Sequence, residues 1–196
     1  MLMSQRVARG TLKLMGWKAV GELPECKSFV LIAAPHTSNW DLLFTLLAAF
    51  SLGANLRWLG KHTLFTTPVM GSMLKRLGGI PVQRSERHNM VEQMAELLEK
   101  EGIALVVPPE ATRSRADTWR SGFYHIARRA QVPVGMGFVD YGARETGLGP
   151  CFIPDGDVRE EMDAVRDFYA TKKPLYPEKF TVPKLREEDE PELKSA

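Results

Sequence analysis

The chain has 196 residues, 44% apolar and 26% charged, and its 26 lysines and arginines against 24 aspartates and glutamates give a net charge of +2. That length suits one domain with a sizeable core. The near-balance of charge excludes a strongly basic nucleic-acid binder.

Residues 1–22 read as an N-terminal amphipathic helix, with Leu2, Val7, Leu12, Trp17 and Val20 interleaved with Arg6, Arg9, Lys13 and Lys18. Every charge before Glu22 is positive. Cations and a tryptophan on a short amphipathic helix suit a bilayer interface. A helix packed on its own domain with a solvated basic face fits the same pattern, and Gly10 and Gly16 weaken the helix itself.

Residues 23–173 alternate strand and helix signals. Ser28 to Ala34 reads as a buried strand, followed by His36-Thr37-Ser38-Asn39-Trp40-Asp41 and an uncharged run from Leu42 to Leu56 that suits a core helix. Leu56 to Gly60 suggests a second strand, and Pro68 to Leu77 a helix with proline in its first turn. Gly78-Gly79 closes that helix, and Ile80-Pro81-Val82 makes a short extended piece for which Pro81 requires an edge position. Glu86 to Glu101 is amphipathic, and Ile103 to Val107 is a strong buried strand. The polar stretch Pro108 to Arg115 leaves that strand, and Trp119 to Ala130 has helical spacing. Val132 to Val139 and Cys151 to Ile153 read as strands, and Asp157 with Glu160 opens a last helix. Residues 174–196 are proline-punctuated and acidic, the pattern of an extended, partly disordered tail. The fold expected is therefore α/β, a single domain whose largely parallel central sheet is flanked by helices.

In such sheets sites form beyond the carboxyl ends of strands, and His36 and Glu110 both follow predicted strands. An imidazole at a strand end and a carboxylate in the next helix's first turn supply a base and its orienting acid. The same residues fit a plainer role, because Ser38-x-x-Asp41 is also a helix-capping pattern. Cys26 and Cys151 are distant in sequence and read as reduced thiols of a reducing compartment. His62, His88 and His125 lack metal-ligand spacing, so no metal site is expected. No run reaches the roughly 18 to 20 apolar residues of a membrane span, and no secretory signal is expected at the N-terminus.

The order His36-x-x-x-x-Asp41, Gly79-Ile80-Pro81-Val82-Gln83-Arg84, Pro109-Glu110-Ala111-Thr112-Arg113-Ser114 and Val132-Pro133-Val134 resembles the glycerophospholipid acyltransferase family, which includes the 1-acylglycerol-3-phosphate acyltransferases. The resemblance covers about residues 28–140. It implies an O-acyltransferase passing a fatty acyl group from acyl-CoA or acyl carrier protein to a lysophospholipid or glycerol-phosphate-type hydroxyl. His36 would be the general base and Asp41 its orienting acid. No Gly-x-Ser-x-Gly elbow is present, which accords with an acceptor that attacks directly.

Arg84 and Arg113 are assigned to an acceptor phosphate, because a guanidinium fork matches phosphate oxygens. Glu110 is assigned to an acceptor hydroxyl, with Thr112 and Ser114 beside it. An Arg113–Glu110 ion pair and a purely loop-ordering role for Thr112 and Ser114 are the alternatives. Lys61 adds positive charge for an acyl carrier or a membrane, or is simply solvated. Ala111 stands where the family has glycine, and since alanine resists positive φ, a different loop conformation or acceptor is expected. No cofactor is implied beyond the acyl co-substrate, and the implied location is cytoplasmic, peripheral on the membrane's cytoplasmic face. An acyl thioesterase or lipid hydrolase on the same residues, and a non-catalytic lipid-binding module, are the rival readings.

Overall fold

In a computed structural model, which describes residues 5–82 and 89–189, the alternation read from the sequence becomes one sheet with helices on both faces. The strands are β1 (Lys18–Val20), β2 (Phe29–Ala34), β3 (Leu56–Lys61), β4 (Gly79–Val82), β5 (Ala104–Val107), β6 (Val134–Asp140) and β7 (Glu145–Phe152). They lie side by side in the order β1-β7-β6-β2-β5-β3-β4. Every neighbouring pair is parallel except β6 and β7, which form an antiparallel hairpin. The helices are α1 (Gln5–Leu14), α2 (Trp40–Leu52), α3 (Pro68–Arg76), α4 (Met90–Lys100), α5 (Gly122–Ala130) and α6 (Val158–Ala170).

Alternation along β2 divides the core in two. Val30 and Ile32 join α4, α5 and α6 through Met94, Leu98, Phe123, Met162 and Tyr169. Phe29 and Leu31 face the other way, toward Ala8 and Leu12 of α1 and Phe44, Leu47 and Phe50 of α2. Each large apolar side chain so buried is worth about 1.5–3 kcal/mol. Helix α2 carries no charge after Asp41 because it lies between α1 and the sheet. Proline is tolerated in β4 because that strand is an edge: among the described residues it pairs with β3 alone.

Four expectations change. The N-terminal helix ends at Leu14, Gly16 takes φ +74°, and residues 18–20 become strand β1. Trp17 is a core residue stacked on Phe44 at 3.8 Å between ring centroids, not an interfacial one. The short strand expected at residues 151–153 is the end of the longer β7, whose Gly147 and Gly149 hide any strand periodicity. Within the segment expected as a loose tail, residues 174–189 run back over the domain as a strap. Leu185 and Thr181 are buried, the Trp119 backbone N–H donates to the Lys184 carbonyl, and Arg166 pairs with Glu188.

Candidate functional site

Strands β2 and β5 are neighbours with Ile32 opposite Val107, so the loops leaving their carboxyl ends rise together. The first carries His36, the second Pro109 to Ser114. Between them and β3 lies a cleft of about 510 Å³. His36, Asp41, Thr112, Arg113 and Ser114 line its polar side; Leu42, Trp58, Leu59, Leu64 and Val106 line its apolar side. Met70 and Met73 are exposed on α3, outside the cleft lining.

The loop that bears His36 is fixed by Asp41. After a cis Ala34–Pro35 peptide, Asp41 Oδ2 accepts the backbone N–H groups of Thr37 and Ser38, each at 2.7 Å. Asp41 Oδ1 accepts the Tyr141 hydroxyl at 2.7 Å. His36 Nδ1 lies 3.9 Å from Oδ2, beyond hydrogen-bond length and within the range that tightens when substrate binds. One carboxylate therefore both ties down the loop backbone and stands beside the imidazole. Three donated hydrogen bonds keep Asp41 buried at the Nδ1 edge of the imidazole. The His36 pKa is lowered from its ordinary 6.5, chiefly by burial, with Asp41 opposing and Arg113 adding to the shift. A neutral, proton-accepting ring follows.

Tyr141 gave no sequence signal, standing 100 positions from Asp41 at the β6–β7 turn. Its ring is edge-on to both Trp17 and Phe44, so the aromatic cluster under α1 aims the hydroxyl at the carboxylate. Burial raises its own pKa, with Asp41 adding to the shift, and the phenol remains a donor.

Glu110 does not line the cleft. It is 2% exposed behind the cleft wall, and its Oε1 accepts the His36 backbone N–H at 2.7 Å. The other oxygen, Oε2, has no hydrogen-bond partner among the described residues. Burial pushes the Glu110 pKa up to about 7, against the lowering effect of the His36 and Thr181 backbone. The fold thus favours its protonated form, and that contribution is lost as pH rises through about 7. The geometry gives Glu110 a hold on the base rather than contact with an acceptor.

Arg113 is exposed at the cleft and forms no ion pair with buried Glu110. The Ser114 backbone N–H donates to Thr112 Oγ1 at 3.2 Å, so Thr112 orders the loop as well as facing the cleft. Ala111 adopts φ +54°: the loop takes the left-handed conformation despite its side chain, which costs about 1–2 kcal/mol. Lys61, at the end of β3, also lines the cleft. Arg84 lies outside the described residues. Among the described residues no group of three His, Cys, Asp or Glu is placed to hold a metal, and no helix is long and apolar enough to cross a membrane. Both cysteines are exposed.

A family model described as Acyltransferase matches residues 19–135. The chain is 30% identical over 117 residues to the chloroplastic 1-acyl-sn-glycerol-3-phosphate acyltransferase BAT2 of Brassica napus, covering 57% of this chain and 33% of the relative. It is 25% identical over 130 residues to the 1-acyl-sn-glycerol-3-phosphate acyltransferase of Haemophilus influenzae, covering 62% of this chain and 53% of the relative. The aligned parts thus span a third and about half of those proteins. The 1-acyl-sn-glycerophosphate (LPA) acyltransferase PlsC of Thermotoga maritima shares the fold, with a TM-score of 0.59 over 80% of this chain and 70% of its own at 19% identity. The family match runs through both loops that frame the cleft and takes in well over half of the residues, so this chain belongs to the acyltransferase family.

Proposed function

We propose that this protein transfers a fatty acyl group from a thioester, acyl-CoA or an acyl carrier protein, to a hydroxyl of a lysophospholipid or glycerol-phosphate-type acceptor. The observation that carries this reading is a neutral imidazole, buttressed by a buried carboxylate, at the junction of the cleft's polar and apolar sides. His36 Nε2 takes the proton of the acceptor hydroxyl as its oxygen attacks the thioester carbonyl. Asp41 stabilises the imidazolium that forms, as the acid of a catalytic triad does. Collapse of the tetrahedral intermediate breaks the C–S bond, and the imidazolium returns the proton to the departing thiolate. An ester and a free thiol result, with no covalent enzyme intermediate.

Arg113 and Lys61 bring positive charge to the cleft, where an acceptor phosphate and the developing oxyanion need it. The apolar wall offers the acyl chain a surface worth about 0.8 kcal/mol per buried methylene. Work on such acceptors suits a protein peripheral to the cytoplasmic face of a membrane.

The test is thiol release from acyl-CoA with and without a lysophospholipid. Release that requires the acceptor and produces the acylated lipid is the expected result, and release indifferent to the acceptor identifies a hydrolase. His36→Ala should lower kcat by about 10²- to 10⁴-fold, the usual contribution of a general base. Since the neutral ring is the active form, kcat/KM should fall only as pH drops below 6.5. A profile whose acid limb has its midpoint above that value removes His36 as the base.

A further inference from the structure

The cleft is flanked on both sides by exposed apolar side chains. On one side, the first turn of α2 turns Asp41 and Leu42 to the cleft and leaves Trp40 56% exposed, with Leu43 beside it. The α1 terminus meets this turn through the Trp17–Phe44 stack and adds exposed Leu14. On the other side, β3 ends in a short 3-10 turn, His62–Phe65, whose Leu64 is half exposed at the cleft wall. Helix α3 packs back on that turn, Gly71 lying close against the Phe65 backbone. Its first-turn residues Val69 and Met70 are 85% and 51% exposed. Met73 and Arg76 continue the same helical face, being three or four and six or seven positions on.

Charge on these elements has one sign. From residue 42 to residue 82 the sequence holds no aspartate or glutamate, against Arg57, Lys61, Lys75 and Arg76. Of these four, Arg57 pairs with Glu101. Residues 5–21 likewise carry only positive charge. Exposed apolar patches mark interaction surfaces, and apolar side chains among charges of a single, positive sign match an anionic lipid interface.

Resting on the acyl-transfer reading above, we propose that the cleft's two flanks, Trp40 with Leu43 and Leu64 with Val69 and Met70, are an anionic-bilayer docking face. Contact on both sides of the mouth sets the cleft against the lipid surface. A lipid acceptor then reaches His36 without its acyl chain crossing water. The α3 flank is distinct from an N-terminal anchor, because α3 packs on the turn after β3 whereas α1 packs on α2.

The experiment is flotation of the full chain with vesicles of phosphatidylglycerol and phosphatidylcholine, and of phosphatidylcholine alone. Binding should require the anionic lipid. The Val69→Asp/Met70→Asp variant should lower partitioning about tenfold or more. Lys75→Gln/Arg76→Gln should lower it about fivefold for each cation removed. This second pair tests the face independently if the first fails to fold. Both variants should keep wild-type turnover of a short-chain thioester with a water-soluble acceptor, and lose it with acceptor in vesicles. Undiminished flotation of either variant overturns the docking face, as does loss on Leu14→Asp alone, which would assign the contact to α1. Unchanged vesicle turnover with selective loss of carrier-protein thioester as donor would make α3 a protein-docking site and likewise overturn it. Absence of turnover with soluble substrates in the wild type, with flotation as described, sinks the acyl-transfer reading and leaves the docking face standing.

Discussion

Two loops leave adjacent parallel strands and meet at one cleft, yet they are built in opposite ways. The loop after β2 is closed: Thr37, Ser38 and Asp41 are buried, and Asp41 alone accepts three hydrogen bonds within and across it. Beyond Glu110, the loop after β5 is open: residues 111–115 are exposed, and it is held by the Ala111 N–H to the Pro108 carbonyl and the Ser114 N–H to Thr112. On the proposed mechanism, the closed loop holds the proton-accepting ring in place, and the exposed loop leaves its side chains free to meet an acceptor. Glu110 joins the two, rooted in the second loop and gripping the backbone of the first at His36.

The sharpest way to break this contrast is Asp41→Asn. An amide offers one accepting oxygen where the carboxylate uses two, so kcat should drop about 10²- to 10⁴-fold. Stability should fall with it by about 1–3 kcal/mol. Loss of stability with near-normal turnover would reduce Asp41 to a helix cap.

Arg113→Gln, in the open loop, should act on recognition alone. KM for a phosphate-bearing acceptor should rise about tenfold, the equivalent of one charge-assisted hydrogen bond, with kcat and Tm near wild type. An equal rise for an acceptor lacking phosphate would remove the phosphate role.

Tyr141→Phe leaves the Asp41 charge in place and deletes one hydrogen bond worth about 1 kcal/mol. A several-fold loss in kcat with KM unchanged is expected, shrinking toward nothing in the Asp41→Asn background if the two act as one unit. Full additivity would make the tyrosine a packing residue. The smallest effect is Ala111→Gly, which relieves the left-handed alanine and should raise stability by less than about 1 kcal/mol, because the added unfolded-chain entropy offsets part of the gain. A decrease would mean that the Ala111 methyl makes contacts worth more than the strain.

Much of the site was legible because its parts are local. His36 and Asp41 are five positions apart, and the strand before each loop is a plain apolar run. Tyr141 was invisible, since nothing in a β6–β7 turn announces that it reaches a carboxylate on α2. Glu110 was legible as a site residue, but its direction was not. A carboxylate after a strand can face the cleft or the adjacent strand's loop, and only the packing of β5 beside β2 turns it inward.

The sequence by itself determined the order of strands and helices from β2 onward, the edge position of β4 through Pro81 and the nearness of an imidazole to an acid, because periodicity, proline geometry and short spacing are local properties. Tertiary structure alone decided the strand order, the buried strap of residues 174–189, the inward turn of Glu110 and the reach of Tyr141 to Asp41. Each of these depends on which surfaces meet across the sheet, a matter of burying apolar area and pairing polar atoms between segments far apart in the chain.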